Sequence, residues 1–406
     1  MKHRYFLMLC VLFFVASMIT FPGDVFAAAK AGLKAWWEIV FPALLPFFIA
    51  AELLMGFGIV HFMGVLLEPV MRPLFNVPGA GSFVLAVGFT SGFPISSHVT
   101  AQLRKDSLCT RIEAERLMSF TNNASPLFML VAVSVGMFKN PELGLVIAGA
   151  HYLANLSIGF LLRFYGRHDR EILPTGICSR DRLLQRAWWQ LSSAMKKENR
   201  PAGKLLADAI TNSVGKLLTI GGFVIVFAVI IRILSRVGIL SGLNMLLAPL
   251  LEPLGLQPAA VQALTQGLFE VTLGTKAAAE APVPYTQQIV AAAICLAWSG
   301  LSVHAQVASM ISDTDIRMLP FIVSRFGQAL LAALYSLLLL KPGPGTVSFL
   351  TRPVFSHLPV NNGFPTWLET FKFSLYAITG TLIVMVVLAA SVLLIKSRIK
   401  FIRIKI

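Results

Sequence analysis

The chain has 406 residues, of which 56% are hydrophobic and only 13% charged, with a formal net charge of +15. A soluble domain carries about 25% charged residues, so this balance excludes a soluble enzyme or binding module and indicates an integral membrane protein. The basic excess lies mainly in loops between apolar runs, where it sets orientation in the bilayer and makes no nucleic-acid surface.

The first apolar run, Tyr5–Phe21, follows Lys2-His3-Arg4. It reads as a membrane anchor or, because Val25-Phe26-Ala27 resembles a cleavage site, as a signal-like segment; residues 1–35 are set apart on that basis, with 22–35 an outward loop. Further spans of roughly 20 residues fall at about 36–59, 117–138, 142–162, 216–236, 286–310, 319–340 and 372–395. Between them, about 79–103 and about 259–280 are too short and too interrupted for ordinary spans. Non-helical backbone at membrane depth survives only where protein buries it or water reaches it, so both read as re-entrant helical hairpins.

Gly58-Ile59, Leu66-Leu67-Glu68-Pro69, Pro73-Leu74 and Pro78 return 180 residues later as Gly238-Ile239, Leu246-Leu247-Ala248-Pro249, Pro253-Leu254 and Pro258. Such an internal repeat in an apolar chain points to a secondary transporter with its site between the halves. The halves are placed at 36–162 and 205–340.

Arg104, Lys105, Arg111 and Arg116, the basic loop 163–204 and the tail from Lys396 to Lys405 are rich in Lys and Arg and face the cytoplasm under the positive-inside rule. Loops 139–141, 237–258 and 341–371 then face outward, and the two hairpins enter from opposite sides. The expected fold is an all-α polytopic membrane protein with about eight transmembrane helices plus two re-entrant helical hairpins in an inverted repeat. Trp188-Trp189 in the basic loop suggests an interfacial amphipathic helix, the proline-rich 341–371 an irregular outer cap, and 372–406 a last helix with a basic tail.

Polar interruptions mark the candidate binding residues. The first hairpin breaks at Thr90, Ser91 and Gly92, followed by Ser97; the next span breaks at Asn122, Asn123 and Ser125. The second half breaks at Glu270, Thr272, Thr275 and Lys276, then at Ser299, Ser302 and His304. Unwound half-helices at one depth present N–H groups to anions and carbonyls to cations. Glu270 and Lys276 flank one break as ligand contacts or as a pair; Glu52 and Arg325 are charges within spans that face a cavity or a partner. Cys10, Cys109, Cys178 and Cys295 are too scattered for zinc or a disulfide framework, and no H-E-x-x-H, P-loop or G-x-G-x-x-G occurs, so neither a cofactor, a resident metal nor catalytic residues are expected.

Gly88-Phe89-Thr90-Ser91-Gly92-Phe93-Pro94, Ser119–Pro126, Leu268-Phe269-Glu270-Val271 and Ala297–His304 resemble the Gate (nucleoside-recognition) domain of concentrative nucleoside transporters and ferrous-iron transporters. Over nearly its full length the chain also resembles a family of sporulation integral membrane proteins, through its span layout, Leu66-Leu67-Glu68-Pro69-Val70 and Phe120-Thr121-Asn122-Asn123-Ala124-Ser125-Pro126. That resemblance implies a multi-pass protein of the outer forespore membrane that moves dipicolinic acid, a small planar dianion, during spore maturation. Its partners would be this anion and the lipid bilayer, with no nucleic acid and with a homo-oligomer left open. Nucleoside transporters carry Gln and an acidic residue in the first hairpin, where Phe89 and Ser91-Gly92 stand here, a departure that favours an anion. A nucleoside or cation carrier of the same fold and a non-transporting sporulation scaffold are the alternatives.

Overall fold

The computed structural model describes residues 2–93, 95–166, 183–197 and 200–340, and every regular element among them is helical. Residues 167–182 of the basic loop, the cap at 341–371 and the last helix and tail at 372–406 lie outside the described residues. In chain order come α1 (Lys2–Thr20), α2 (Pro22–Ala35), a π-helical turn (Trp36–Val40), α3 (Phe41–Gly56), α4 (Ile59–Phe75), α5 (Gly81–Ser91), α6 (Ile95–Lys105) and α7 (Arg111–Thr121). A π-helix (Phe128–Met137), α8 (Leu143–Leu162), α9 (Leu183–Lys197), α10 (Ala202–Arg236), α11 (Ile239–Leu251), α12 (Pro258–Phe269) and α13 (Val271–Glu280) follow. The described chain closes with α14 (Tyr285–Trp298), α15 (Gly300–Ile311) and α16 (Met318–Leu340).

The sequence repeat is a backbone repeat. α4 and α11 both start after a left-handed glycine, Gly58 at φ 78° and Gly238 at φ 82°, a conformation that strains residues bearing a Cβ. α5–α6 then corresponds to α12–α13, α7 with the π-helix to α14–α15, and α8 to α16. In both halves a hairpin is followed by a broken helix and then by a continuous one.

Residues 22–35 form helix, not the outward loop expected from the sequence. Pro22 sits in the first turn, where its missing N–H costs nothing, and an Ala-rich run follows. α2 continues through the π turn into α3, and Gly32 lets it lie against Ala228 of α10. Asp24 pairs with Arg232 and Arg236, each at 2.6 Å, while Glu52 pairs with Lys216; α2–α3 and α10 are therefore antiparallel. Arg232 thus has a carboxylate partner.

The hairpins enter from opposite ends. At one end Arg104 donates to both Asp315 oxygens at 2.9 and 2.8 Å, Lys105 pairs with Asp313 at 3.4 Å, and Arg116 donates to the Asn76 carbonyl at 2.6 Å. Both ends of the first hairpin lie there. At the other end the Gln257 N–H donates to Gln287 at 2.9 Å, Gln288 donates to the Ala281 carbonyl at 2.7 Å, and Asn140 donates to Tyr285 at 3.0 Å. Those contacts hold both ends of the second hairpin, so the halves are inverted.

Among the described residues, Pro22–Leu54, Leu143–Leu162, Ala202–Arg236, Tyr285–Ile311 and Met318–Leu340 are long and apolar enough to cross a bilayer. The span expected at 117–138 is divided, because Asn122–Ser125 leave helical geometry between α7 and the π-helix. α9 forms where the amphipathic helix was expected. Arg186 fastens it to Glu68 of α4 at 2.8 Å, and Trp188 and Trp189 stay exposed.

Glu115 ties the first half to the second at the Arg104 end. Its buried carboxylate accepts from Arg317 at 2.7 Å and from the Tyr165 hydroxyl at 2.7 Å. Burial pushes this carboxyl up, but the hydrogen bonds from Arg317 and Tyr165 outweigh it and leave it below its ordinary 4.5; Arg104 likewise holds Asp315 below 3.8. Carboxyls depressed by folding stabilise above their unfolded values and lose that contribution only as pH falls through the lowered ones. The clasp is therefore expected to hold unchanged from pH 8 to pH 5. Arg317→Ala, which leaves a buried carboxylate underpaired, is expected to cost roughly 2 kcal/mol, read by thermal unfolding in detergent; an unchanged transition would remove the clasp from the account.

Candidate functional site

Four breaks carry the polar chemistry, and they meet in pairs. Gly92 ends α5 at φ 78°, and a Cβ there would lie 2.9 Å from the Ser125 nitrogen and Cβ, so the first break nests on the second. Asn122 is extended, and Ser125 restarts the helix by accepting from the Phe128 N–H at 3.2 Å. In the second half Glu270 is extended between α12 and α13, and its carboxylate caps α13 by accepting from the Leu273 N–H at 2.7 Å. Ser299 and Gly300 are both left-handed, at φ 70° and 77°, and a Cβ on Gly300 would lie 2.9 Å from the Val271 nitrogen and 3.0 Å from the Glu270 Cα. The same nesting occurs in each half.

All four breaks border one crevice of about 70 Å³. Gly92, Phe93, Ser125 and Phe128 line it from the first half, and Glu270, Val271, Thr272, Ser302, Val303 and Gln306 from the second. Val40, Leu44 and Phe48 on one side and Ile220 and Phe223 of α10 on the other make an apolar wall. Glu270 is the one ionisable side chain among these lining residues.

Of the residues singled out from sequence, Gly92, Ser125, Glu270, Thr272 and Ser302 reach the crevice. Thr90 and Thr275 donate to carbonyls one turn back in their own helices, Ala86 at 2.8 Å and Val271 at 2.6 Å. Ser299 bonds the Trp298 carbonyl, and His304 sits on the Gly300 carbonyl at 2.8 Å with its ring 4.5 Å from Trp298. Lys276 does not pair with Glu270. It reaches Glu280 at 2.8 Å, one turn along α13, because the Glu270 carboxylate is turned back to cap that helix. The Ser91 side chain lies outside the described ones. Ser97, Asn122 and Asn123 are fully buried and do not line the crevice.

Sequence reasoning missed Gln306, although it stands four residues after Ser302 and so on the same helix face. It put Arg325 within a span, facing a cavity or a partner, but named no partner for it. That guanidinium is buried in α16, donating to the Asn122 carbonyl at 2.8 Å, to the Ser119 carbonyl and to Asn155 at 3.4 Å. Its partners lie about 170 to 206 residues away in sequence, beyond the reach of local patterns.

A profile of the nucleoside recognition (Gate) family matches residues 37–140 and 217–316, segments that contain all four breaks. The sporulation integral membrane protein YlbJ of Bacillus subtilis (strain 168) is 47% identical over 331 residues, covering 82% of this chain and 81% of that protein. An uncharacterized protein of Alkalihalophilus pseudofirmus is 32% identical over 129 residues, which is 30% of this chain and 28% of its own length. A solved structure of a CNTnw variant in the intermediate 2 state superimposes with a TM-score of 0.52 over 83% of this chain and 85% of that one, at 12% identity, a likeness of fold alone. With a profile spanning both halves and a Bacillus relative matching along most of its length, the chain belongs to the nucleoside recognition (Gate) family and, within it, to the family of the sporulation integral membrane protein YlbJ.

Proposed function

We propose that this chain is a secondary transporter of a small organic anion, dipicolinate, acting in the outer forespore membrane of a spore-forming bacterium. The observation that carries the reading is the convergence of four helix breaks, two from each inverted half, on a single crevice. Phe93, Phe128 and Phe223 offer flat apolar surface to a planar ring, while Ser125, Thr272, Ser302 and Gln306 offer donors to carboxylate oxygens. The name of the Bacillus subtilis relative supports the sporulation setting.

The crevice also constrains how an anion travels. Two like charges about 6 Å apart oppose each other by roughly 2–3 kcal/mol at an effective dielectric of 20, so the dianion passes with a proton or a cation that offsets Glu270. In proteoliposomes, dipicolinate uptake is expected to rise with an inward proton or cation gradient, with no uridine uptake. Uridine movement without dipicolinate would overturn the reading. It would favour a second one, a nucleoside carrier, to which a crevice whose lone charge is an acid is also suited.

A further inference from the structure

The largest fully buried side chain of the described protein is an arginine. Arg325 lies eight residues into α16, and among the described residues it forms no ion pair. Its acceptors are neutral: two carbonyls at the broken end of α7 and the Asn155 amide. The Nε has no partner at all. Carbonyl dipoles at a helix C-terminus ease a cation but do not neutralise it, and a buried charge without a counter-ion is costly.

Unmet hydrogen-bonding groups gather at the break that this guanidinium holds. Both polar atoms of the Asn122 side chain lack partners, as do Asn123 Oδ1, Gln328 Oε1 and His151 Nδ1, and all four residues have no exposed surface. Asn122 meets Arg325 through its own carbonyl, Gln328 is one turn along α16, and His151 accepts from the Ala124 N–H at 3.3 Å in the same break. Native proteins leave few buried polar atoms unpaired, and five such atoms around one break mark a place built for a polar occupant. The break that carries these groups also reaches the crevice, because Ser125 lines it three residues beyond Asn122.

From this geometry we infer that Arg325, with the Asn122 amide, forms the anion-receiving subsite of the transporter, behind the crevice, and takes a carboxylate there. The inference rests on the reading of the chain as an organic-anion carrier and supplies the positive charge that the crevice lacks. A carboxylate accepts two parallel hydrogen bonds from the flat guanidinium, displacing carbonyls that are weaker acceptors, while Asn122 Nδ2 donates to the remaining lone pair. Lysine keeps the charge but not the fork, so Arg325→Lys is expected to retain part of the affinity and Arg325→Gln almost none.

The test uses the full-length protein purified in detergent, with thermal unfolding followed against pyridine-2-carboxylate, dipicolinate, the uncharged pyridine-2,6-dimethanol and sodium chloride. Wild type is expected to be stabilised by the two carboxylates and not by the alcohol. Apparent affinity for pyridine-2-carboxylate is expected to fall at least 30-fold in Arg325→Gln and about tenfold in Asn122→Ala. Because Arg325 also holds two backbone carbonyls, its glutamine variant can fail to fold. Asn122→Ala leaves those bonds in place and decides the matter alone. Undiminished carboxylate stabilisation in Asn122→Ala, equal stabilisation by the alcohol, or stabilisation by chloride alone would each overturn the subsite. Stabilisation by pyridine-2-carboxylate but not by dipicolinate would retire dipicolinate as the substrate and leave the subsite standing.

Discussion

Glu270→Gln is expected to tighten dipicolinate binding at pH 7.5, on the order of 30-fold, and to flatten its dependence on pH. Glutamine keeps an oxygen that accepts from the Leu273 N–H, so α13 stays capped, while the lone ionisable group lining the crevice becomes neutral. At about 6 Å and an effective dielectric of 20, removing that repulsion is worth roughly 2–3 kcal/mol, which sets the size of the gain. Glu270→Ala removes the cap as well and adds a loss of about 1 kcal/mol in stability. Calorimetric titration at pH 5.5 and 7.5 reads both effects. If the substrate were a neutral polyol or nucleoside, Glu270 would be a favourable acceptor and the glutamine variant would bind more weakly; that sign decides between the two readings of the crevice.

Gly88→Val and Gly274→Val are expected to abolish the folded protein or lower its unfolding temperature severely. A Cβ on Gly274 would overlap the Gly267 backbone across the second hairpin, and one on Gly88 would overlap the Thr121 carbonyl at the break of α7. In both places the obstacle is main chain, which cannot turn aside as a side chain can, so the cost exceeds the 1–3 kcal/mol typical of an overpacked core. Gly222→Ala is the control, since nothing lies within 4 Å of its missing Cβ. Helix propensity makes that change neutral or slightly stabilising. Yield and melting transition of the three variants in detergent check the contrast, and a normally folded Gly274→Val protein would refute the close approach.

The architecture was legible because it is written in local signals. Gly58 and Gly238 announce the same turn, the prolines behind them repeat, and Thr90–Pro94 and Glu270 interrupt runs that would otherwise be helix. The side-chain pairings between elements were not legible. Lys276 lies close to Glu270 in sequence, yet helix periodicity gives it Glu280, and only the three-dimensional structure shows that Glu270 has turned inward. Asn122 was legible as a polar break, but not that it lies behind the crevice with its carbonyl on a cation from α16. The segment 22–35 reads in sequence as the loop between the first apolar run and the next span, whereas Pro22, Gly23 and Asp24 begin a helix.

The nesting of Gly92 on Ser125 and of Gly300 on Glu270 bears on how the molecule moves. Each bare glycine interlocks a hairpin with the kinked neighbour from its own half, and no such joint bridges the halves at these two points. Displacing either hairpin therefore drags its kinked neighbour along, and because Arg325 of the second half also holds the Asn122 carbonyl, a shift of the first pair is passed on to α16.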